Sequence, residues 1–387
     1  MLLLGVCQGL LAQDQKNVTP PSSVTEDPLP AWTPTPELNL GGYDWIELKS
    51  GEWLKGEIKY MYDDELVFDS DVLDELTIDW SDIKQIKTNR PVSMRLNNRE
   101  TVAGHITMAD GEIEVTNAEV EVQSFPMFGL QPPPVKTQVA SMAVKPDNVV
   151  GLVPDDANRT LENWTISASL GANFQSGNTD ETSLSADGEI ERRTAATRLN
   201  LNFLGNYAKN NGVLNKENLR VTSYYDYFVD KDLFVRTINA EYFHDPFQNI
   251  AHRLTVGTGV GYEIVDDPDF TWDVVAGPAY QITWFDNVTA GSTNPVQTPA
   301  LLLVTNLSYD INDDLTYTGL YQFIVTGRNS GLLTTHFVSS LEYELTEIFD
   351  LKMSFIWDRV QDPTAQANGT VPQQDDFYLI FGLGVSY

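Results

Sequence analysis

The chain has 387 residues and sets 55 Asp and Glu against 24 Lys and Arg, a formal net charge of −31, with a single cysteine. One cysteine excludes a disulfide framework and a cysteine-rich zinc site, and the acidity excludes nucleic acid as a partner, since phosphates demand clustered Lys and Arg. The apolar stretch Leu2 to Ala12 is far shorter than the roughly 20 residues of a spanning helix, whereas a membrane β-barrel stays open because its signal is alternation.

Residues 1–12 read as the remnant of a secretory signal, closing at Ala12-Gln13. Residues 13–40 are a disordered linker: Pro20, Pro21, Pro28, Pro30, Pro34 and Pro36 sit among Ser, Thr and acidic residues with neither apolar period.

Residues 41–153 read as short strands in two copies. Ile46 and Leu48, then Gly56 and Ile58, reappear 48 residues later as Met94 and Leu96, then Gly104 and Ile106. Strand, turn, strand at this pitch predicts two small SH3-like or Sm-like β modules, the second carrying a proline-rich insertion from Pro126 to Pro134. Asp63, Asp64, Asp69, Asp71, Asp74, Glu75 and Asp79 crowd the first copy, which rules against RNA and leaves a spacer or docking module.

Residues 160–387 have period two. Trp164, Ile166, Ala168, Leu170, Ala172 and Phe174 share one face against Thr165, Ser167, Ser169, Gly171, Asn173 and Gln175. Twelve such segments follow one another, near 164–175, 182–193, 197–208, 217–229, 232–243, 252–265, 270–285, 300–311, 314–326, 334–346, 349–359 and 376–387. Most are longer than the about 5–6 residues usual for soluble strands, and suit the about 9–11 residues needed to cross an apolar layer at a tilt. The fold class is therefore all-β: a twelve-stranded antiparallel outer-membrane barrel behind the N-terminal modules.

Connection lengths alternate. The short set is 194–196, 230–231, 266–269, 312–313 and 347–348; the long set is 176–181, 209–216, 244–251, 286–299, 327–333 and 360–375. Short periplasmic turns, long external loops and both termini in the periplasm are the outer-membrane pattern. Phe377, Leu379, Phe381, Leu383, Val385 and Tyr387 alternate to the last residue; of these, Phe381, Leu383, Val385 and Tyr387 form the expected insertion signal for the barrel-assembly machinery. One segment resists: Leu233 and Val235 share a face with Thr237, Asn239 and Glu241, while Phe234, Ile238 and Tyr242 share one with Arg236. A β-bulge that reverses the facing partway would reconcile it.

Three groups of residues carry a resemblance. They are Trp164…Gly171…Gly177-Asn178-Thr179; Tyr225-Asp226-Tyr227-Phe228 before a short turn; and Asp245…Arg253…Gly257-x-Gly259-x-Gly261-Tyr262. With these, the stretch 164–387 resembles the salt-induced outer-membrane protein family, defined by a domain of unknown function. The resemblance implies an exported barrel in outer-membrane lipid and supplies no reaction. Read physically, Gly177-Asn178 is a turn, the three glycines leave a groove beside the lumen, and Asp245 with Arg253 is expected to form a loop-anchoring ion pair, with a ligand contact as the alternative.

Charges are costly against lipid and belong inside. Alternation puts Arg198, Arg220, Arg236, Arg253 and Lys352 in the lumen with Asp187, Glu189, Glu191, Asp226, Glu263, Asp273, Glu342 and Glu344. They describe a water-filled pore with a transverse field or an interior cross-braced by ion pairs. A hydrolase at the barrel mouth would need His244, His252 or His336, but no Gly-x-Ser-x-Gly elbow occurs. No catalytic, cofactor or metal site is expected. The expected function is passage of small solutes, with the alternative of a closed barrel that anchors modules binding a periplasmic protein or cell-wall partner.

Overall fold

A computed structural model describes residues 42–386 apart from 63, 123–134, 156–162, 176–180, 268, 313 and 347. The signal remnant, the linker, the proline-rich insertion, Gly177-Asn178-Thr179 and Tyr387 lie outside the described residues.

The first ten strands are β1 (Asp44–Leu48), β2 (Trp53–Tyr62), β3 (Glu65–Ser70), β4 (Asp74–Asp79), β5 (Ile83–Lys87), β6 (Val92–Leu96), β7 (Glu100–Ala109), β8 (Glu112–Val122), β9 (Val135–Val144) and β10 (Val149–Pro154). Six of them close a small barrel in the order β1-β5-β7-β6-β10-β2, with β1 pairing back onto β2. The two sequence copies are thus two halves of one barrel and do not close separately. The last strand of each copy pairs with its own first strand and with the second strand of the other copy: β5 with β1 and β7, β10 with β6 and β2. Half a barrel cannot bury its apolar face alone, and the exchange gives both halves one core of Ile46, Ile58, Phe68, Ile86, Met94, Val102, Ile106, Val115 and Leu152. The repeated glycines have one reason. A Cβ on Gly56 would lie 2.0 Å from the Asp69 carbonyl oxygen, and one on Gly104 2.7 Å from that of Thr116, so β2 and β7 reach their neighbours only without a side chain.

The remaining strands are β11 (Trp164–Gln175), β12 (Glu181–Arg193), β13 (Thr197–Asn210), β14 (Val213–Phe228), β15 (Leu233–Asp245), β16 (Ile250–Asp267), β17 (Phe270–Phe285), β18 (Val296–Asn312), β19 (Leu315–Val325), β20 (Leu333–Glu344), β21 (Phe349–Val360) and β22 (Asp375–Ser386). They form one closed antiparallel barrel, each strand paired with the next and β22 with β11. The seam explains Gly171: a Cβ there would stand 2.6 Å from the Phe381 carbonyl oxygen. Leu170, Leu201, Phe203, Val256, Val260, Tyr280, Leu303, Phe355, Phe377, Leu379, Phe381 and Leu383 all stand exposed on the outer wall. An apolar band on this scale, around a closed sheet with no open edge, is a surface built for lipid. No helix among the described residues is long and apolar enough to cross a membrane.

Two details differ from the expected pattern or complete it. The expected long connection 209–216 is a two-residue turn, Asn211-Gly212, with φ of 49° and 77°; this is the Asn-Gly hairpin turn whose twist matches the flanking strands, so β13 and β14 run on to meet it. The resisting segment holds its bulge at Thr237 and Ile238, where the register against β16 slips between Arg236 and Asn239. Phe234 and Arg236 are buried before it, and Asn239, Glu241, Phe243 and Asp245 after it, so the strand keeps its polar side inward throughout.

The small barrel rests on the short-turn end of the large one. Buried Arg95 donates to the Tyr227 hydroxyl at 2.5 Å, Lys231 pairs with Asp64 at 2.5 Å, and the Arg193 guanidinium lies 3.7 Å from the Phe228 ring centroid and 4.5 Å from that of Tyr62.

Candidate functional site

The site is the lumen, and its polar residues come from alternation: every second side chain of a barrel strand points inward, where a charge avoids lipid and must find a partner. The structure brings those charges together in two layers.

The first is a brace. Arg220 on β14 donates to Glu241 on the adjacent β15 at 2.7 Å and to Asp358 on β21, nearly opposite in the ring, also at 2.7 Å. Gln322 on β19 reaches Glu241 at 2.6 Å, His336 on β20 meets Asp358 at 2.7 Å, and Arg253 on β16 stands 3.7 Å from Glu241. The Phe243 ring lies against both guanidinium groups, 4.4 Å from Arg220 and 4.5 Å from Arg253. All these residues are buried. Each carboxylate faces guanidinium or imidazole groups, which compensates desolvation that would otherwise forbid it.

The second layer lies toward the small barrel. Asp226 is fully buried and accepts from Arg236 at 2.8 Å and Arg198 at 2.9 Å, while Lys352 donates to Asp187 at 3.0 Å. Glu263 and Asp273 stand farther out, 3.9 and 4.0 Å from Arg198. A cavity of about 570 Å³ touches both layers, lined by Asp187, Glu189, Arg198, Arg236, His336 and Lys352 and by apolar Leu204, Val304 and Leu320. A second space of about 310 Å³ shares Glu191, Arg198 and Asp273 with it and is bounded by Tyr60 and Tyr62 of the small barrel. Burial pushes the Tyr62 hydroxyl pKa up, with Arg193 beside it acting in the other direction.

Expected lumen residues are therefore mostly present, with changed partners. Arg253 pairs with Glu241 and not with Asp245. Asp245 anchors its loop by a different means, since its Oδ1 accepts the backbone N–H groups of Phe247 and Gln248. Glu342 is 3.9 Å from Lys352, and Glu344 is exposed at the strand end. The expected groove at the glycines is occupied: a Cβ on Gly261 would meet the Phe234 ring at 2.2 Å, and Gly257 and Gly259 lie against Ala279 and Val275. Tyr262 faces outward and donates to Asp232 at 3.1 Å, and the Arg192 guanidinium lies 5.9 Å from the Trp164 ring. His336 is part of the brace, whereas His244 and His252 face away from the lumen.

Glu241, Gln322 and Asp358 escape the sequence reading. Asp358 shares parity with Lys352 and was within reach of the same rule; Glu241 was hidden because the bulge inverts its side. The inner apolar cluster of Phe234, Val275, Leu302, Val304 and Ile324 carries no signal that separates it from the lipid face.

Residues 168–387 match a family described as "Protein of unknown function, DUF481"; the description names no inducing condition. No curated protein matches the chain. Among solved structures, the NanC porin is similar at 13% identity over 58% of this chain and 98% of its own, with a TM-score of 0.34. An outer-membrane channel of Pseudomonas putida F1 is similar at 11% over 58% and 93%, TM-score 0.30, and the channel DcaP of Acinetobacter baumannii at 10% over 89% and 92%, TM-score 0.25.

Proposed function

For a chain that belongs to the DUF481 family of proteins of unknown function, we propose a role drawn from its own geometry: an outer-membrane β-barrel with a closed lumen that holds its small N-terminal barrel on the periplasmic side. One observation carries the closure. Arg220 grips Glu241 and Asp358 on nearly opposite walls, so a solute crossing there must break a buried, charge-assisted network. The apolar outer wall supports insertion in lipid. The short turns gathered at the end that bears the small barrel support a periplasmic position for it. On this reading the acidic β3–β4 hairpin, with Asp69, Asp71, Asp74 and Glu75, faces the periplasmic protein or cell-wall partner.

A second reading, gated passage of small polar solutes, is favoured by one observation: the two spaces between the brace and Tyr62 share charged lining, as a pathway shut at one level would. Liposome swelling separates the two. The closed anchor predicts that the full chain in vesicles admits small sugars and amino acids no faster than empty vesicles. Swelling that depends on solute size would replace it with the second reading. Protease treatment tests the placement: the small barrel should be cut only after the outer membrane is permeabilised, and cutting in intact cells would reverse it.

A further inference from the structure

We propose that His244 and His252 form a divalent transition-metal site on the outer wall of the barrel, taking Cu2+ in preference to Zn2+ or Ni2+, with water completing the coordination. His244 lies near the end of β15 and His252 near the start of β16, on the two arms of one hairpin, with both side chains on the outward parity. Their rings stack with centroids 5.9 Å apart and an interplanar angle of 30°. Two imidazoles binding one metal through nitrogens at about 2.0–2.1 Å have centroids roughly 5–6 Å apart, a spacing this pair already has.

The hairpin holds the pair in place. Asp245 caps the turn through the N–H groups of Phe247 and Gln248, and buried Asn249 completes it at φ 60° with its side chain donating to the Thr364 carbonyl. The imidazoles are also oriented. His244 Nδ1 lies 2.5 Å from the Ala251 carbonyl oxygen. A carbonyl only accepts, so Nδ1 carries the proton and Nε2 presents its lone pair. His252 Nδ1 is held at 2.8 Å by the Tyr242 hydroxyl. Neither Nε2 has a hydrogen-bond partner among the described residues. Metal-ligating histidines are arranged this way, one ring nitrogen fixed by an oxygen and the other left for the ion. Imidazole donors on a site with open positions follow the order in which Cu2+ exceeds Ni2+ and Zn2+.

The bland alternative is an aromatic rim, since Tyr242 packs on His252 and Trp284 stands opposite it in the ladder. The test is Cu2+ titration of the tag-free full chain in detergent micelles, followed by electron paramagnetic resonance. One Cu2+ per chain with two imidazole nitrogens is expected. His244→Ala and His252→Gln should each remove one nitrogen and weaken binding by roughly tenfold or more, Tyr242→Phe should weaken it less, and His105→Ala should leave it unchanged. Heat-modifiable gel migration, unaltered in all four variants, shows that the barrel still folds. Cu2+ binding with the wild-type spectrum in both histidine variants, or no imidazole-nitrogen coordination in the wild type, overturns the site.

Discussion

The molecule contains two closed barrels built on the same alternation and turned inside out relative to each other. In the six-stranded barrel Ile46, Ile58, Ile86, Met94 and Ile106 point inward and acidic side chains point out. In the twelve-stranded barrel Arg220, Glu241, Arg253 and Asp358 point inward, and Leu170, Phe377, Phe381 and Leu383 point out. Closure solves the same problem in both, since it leaves no ladder edge in the ring. The difference is the solvent. Water rewards an apolar core, whereas lipid offers little to a buried apolar residue that the outer wall does not already have, so ion pairs and hydrogen bonds carry much of the packing inside the large barrel, beside one apolar cluster around Phe234, Val275 and Leu302.

The comparison breaks most sharply at the brace. Arg220→Ala leaves Glu241 with the Gln322 amide at 2.6 Å and a single cation, Arg253, at 3.7 Å, and leaves Asp358 with His336. The variant should lose about 3–5 kcal/mol, read as a lower urea midpoint of the large barrel in detergent. The matching change in the small barrel, Ile58→Ala, removes apolar volume from a fully buried position. It should cost about 2–5 kcal/mol there and leave heat-modifiable migration of the large barrel unchanged. Gly261→Ala tests whether the large barrel tolerates extra volume inside: its Cβ would meet the Phe234 ring at 2.2 Å. A cost of about 1–3 kcal/mol is expected, relieved by adding Phe234→Leu.

The smallest effect concerns a buried charge in the small barrel. Burial holds the Asp44 carboxyl above its ordinary value, against the backbone N–H bonds from Ile58 and Asn89 that lower it. As pH rises past the ordinary carboxylate range the unfolded chain ionises first, so this group's contribution is full below that range and is lost as pH climbs through the raised folded value. Asp44→Asn should flatten that slope in thermal melts of the small barrel. It also carries a pH-independent cost, because an amide NH2 replaces one acceptor.

Local pattern carried much of this. Alternation over 164–387 gave twelve strands and their lumen side, and the repeat at Gly56 and Gly104 marked two equivalent units. What was hidden depends on contacts distant in sequence. Nothing local in β5 or β10 says that each must also pair with the other copy, and only ring closure brings Asp358 to Arg220. The bulge at Thr237 and Ile238 was legible as a conflict but not as a place, because parity changes anywhere between Arg236 and Asn239 satisfy the same pattern. Asn211-Gly212 is plainly legible, being the strongest short hairpin signal, although the stretch Lys209 to Lys216, polar apart from Val213 and Leu214, reads as a longer loop.

Planar-bilayer conductance of the refolded full chain tests the braced lumen most directly, with wild type and Arg220→Ala measured side by side. The account predicts a silent wild type and intermittent openings once Arg220 no longer spans from Glu241 to Asp358. Steady ohmic steps from the wild type, altered by charge reversal at Glu342 and Glu344, would contradict it and show an open pore.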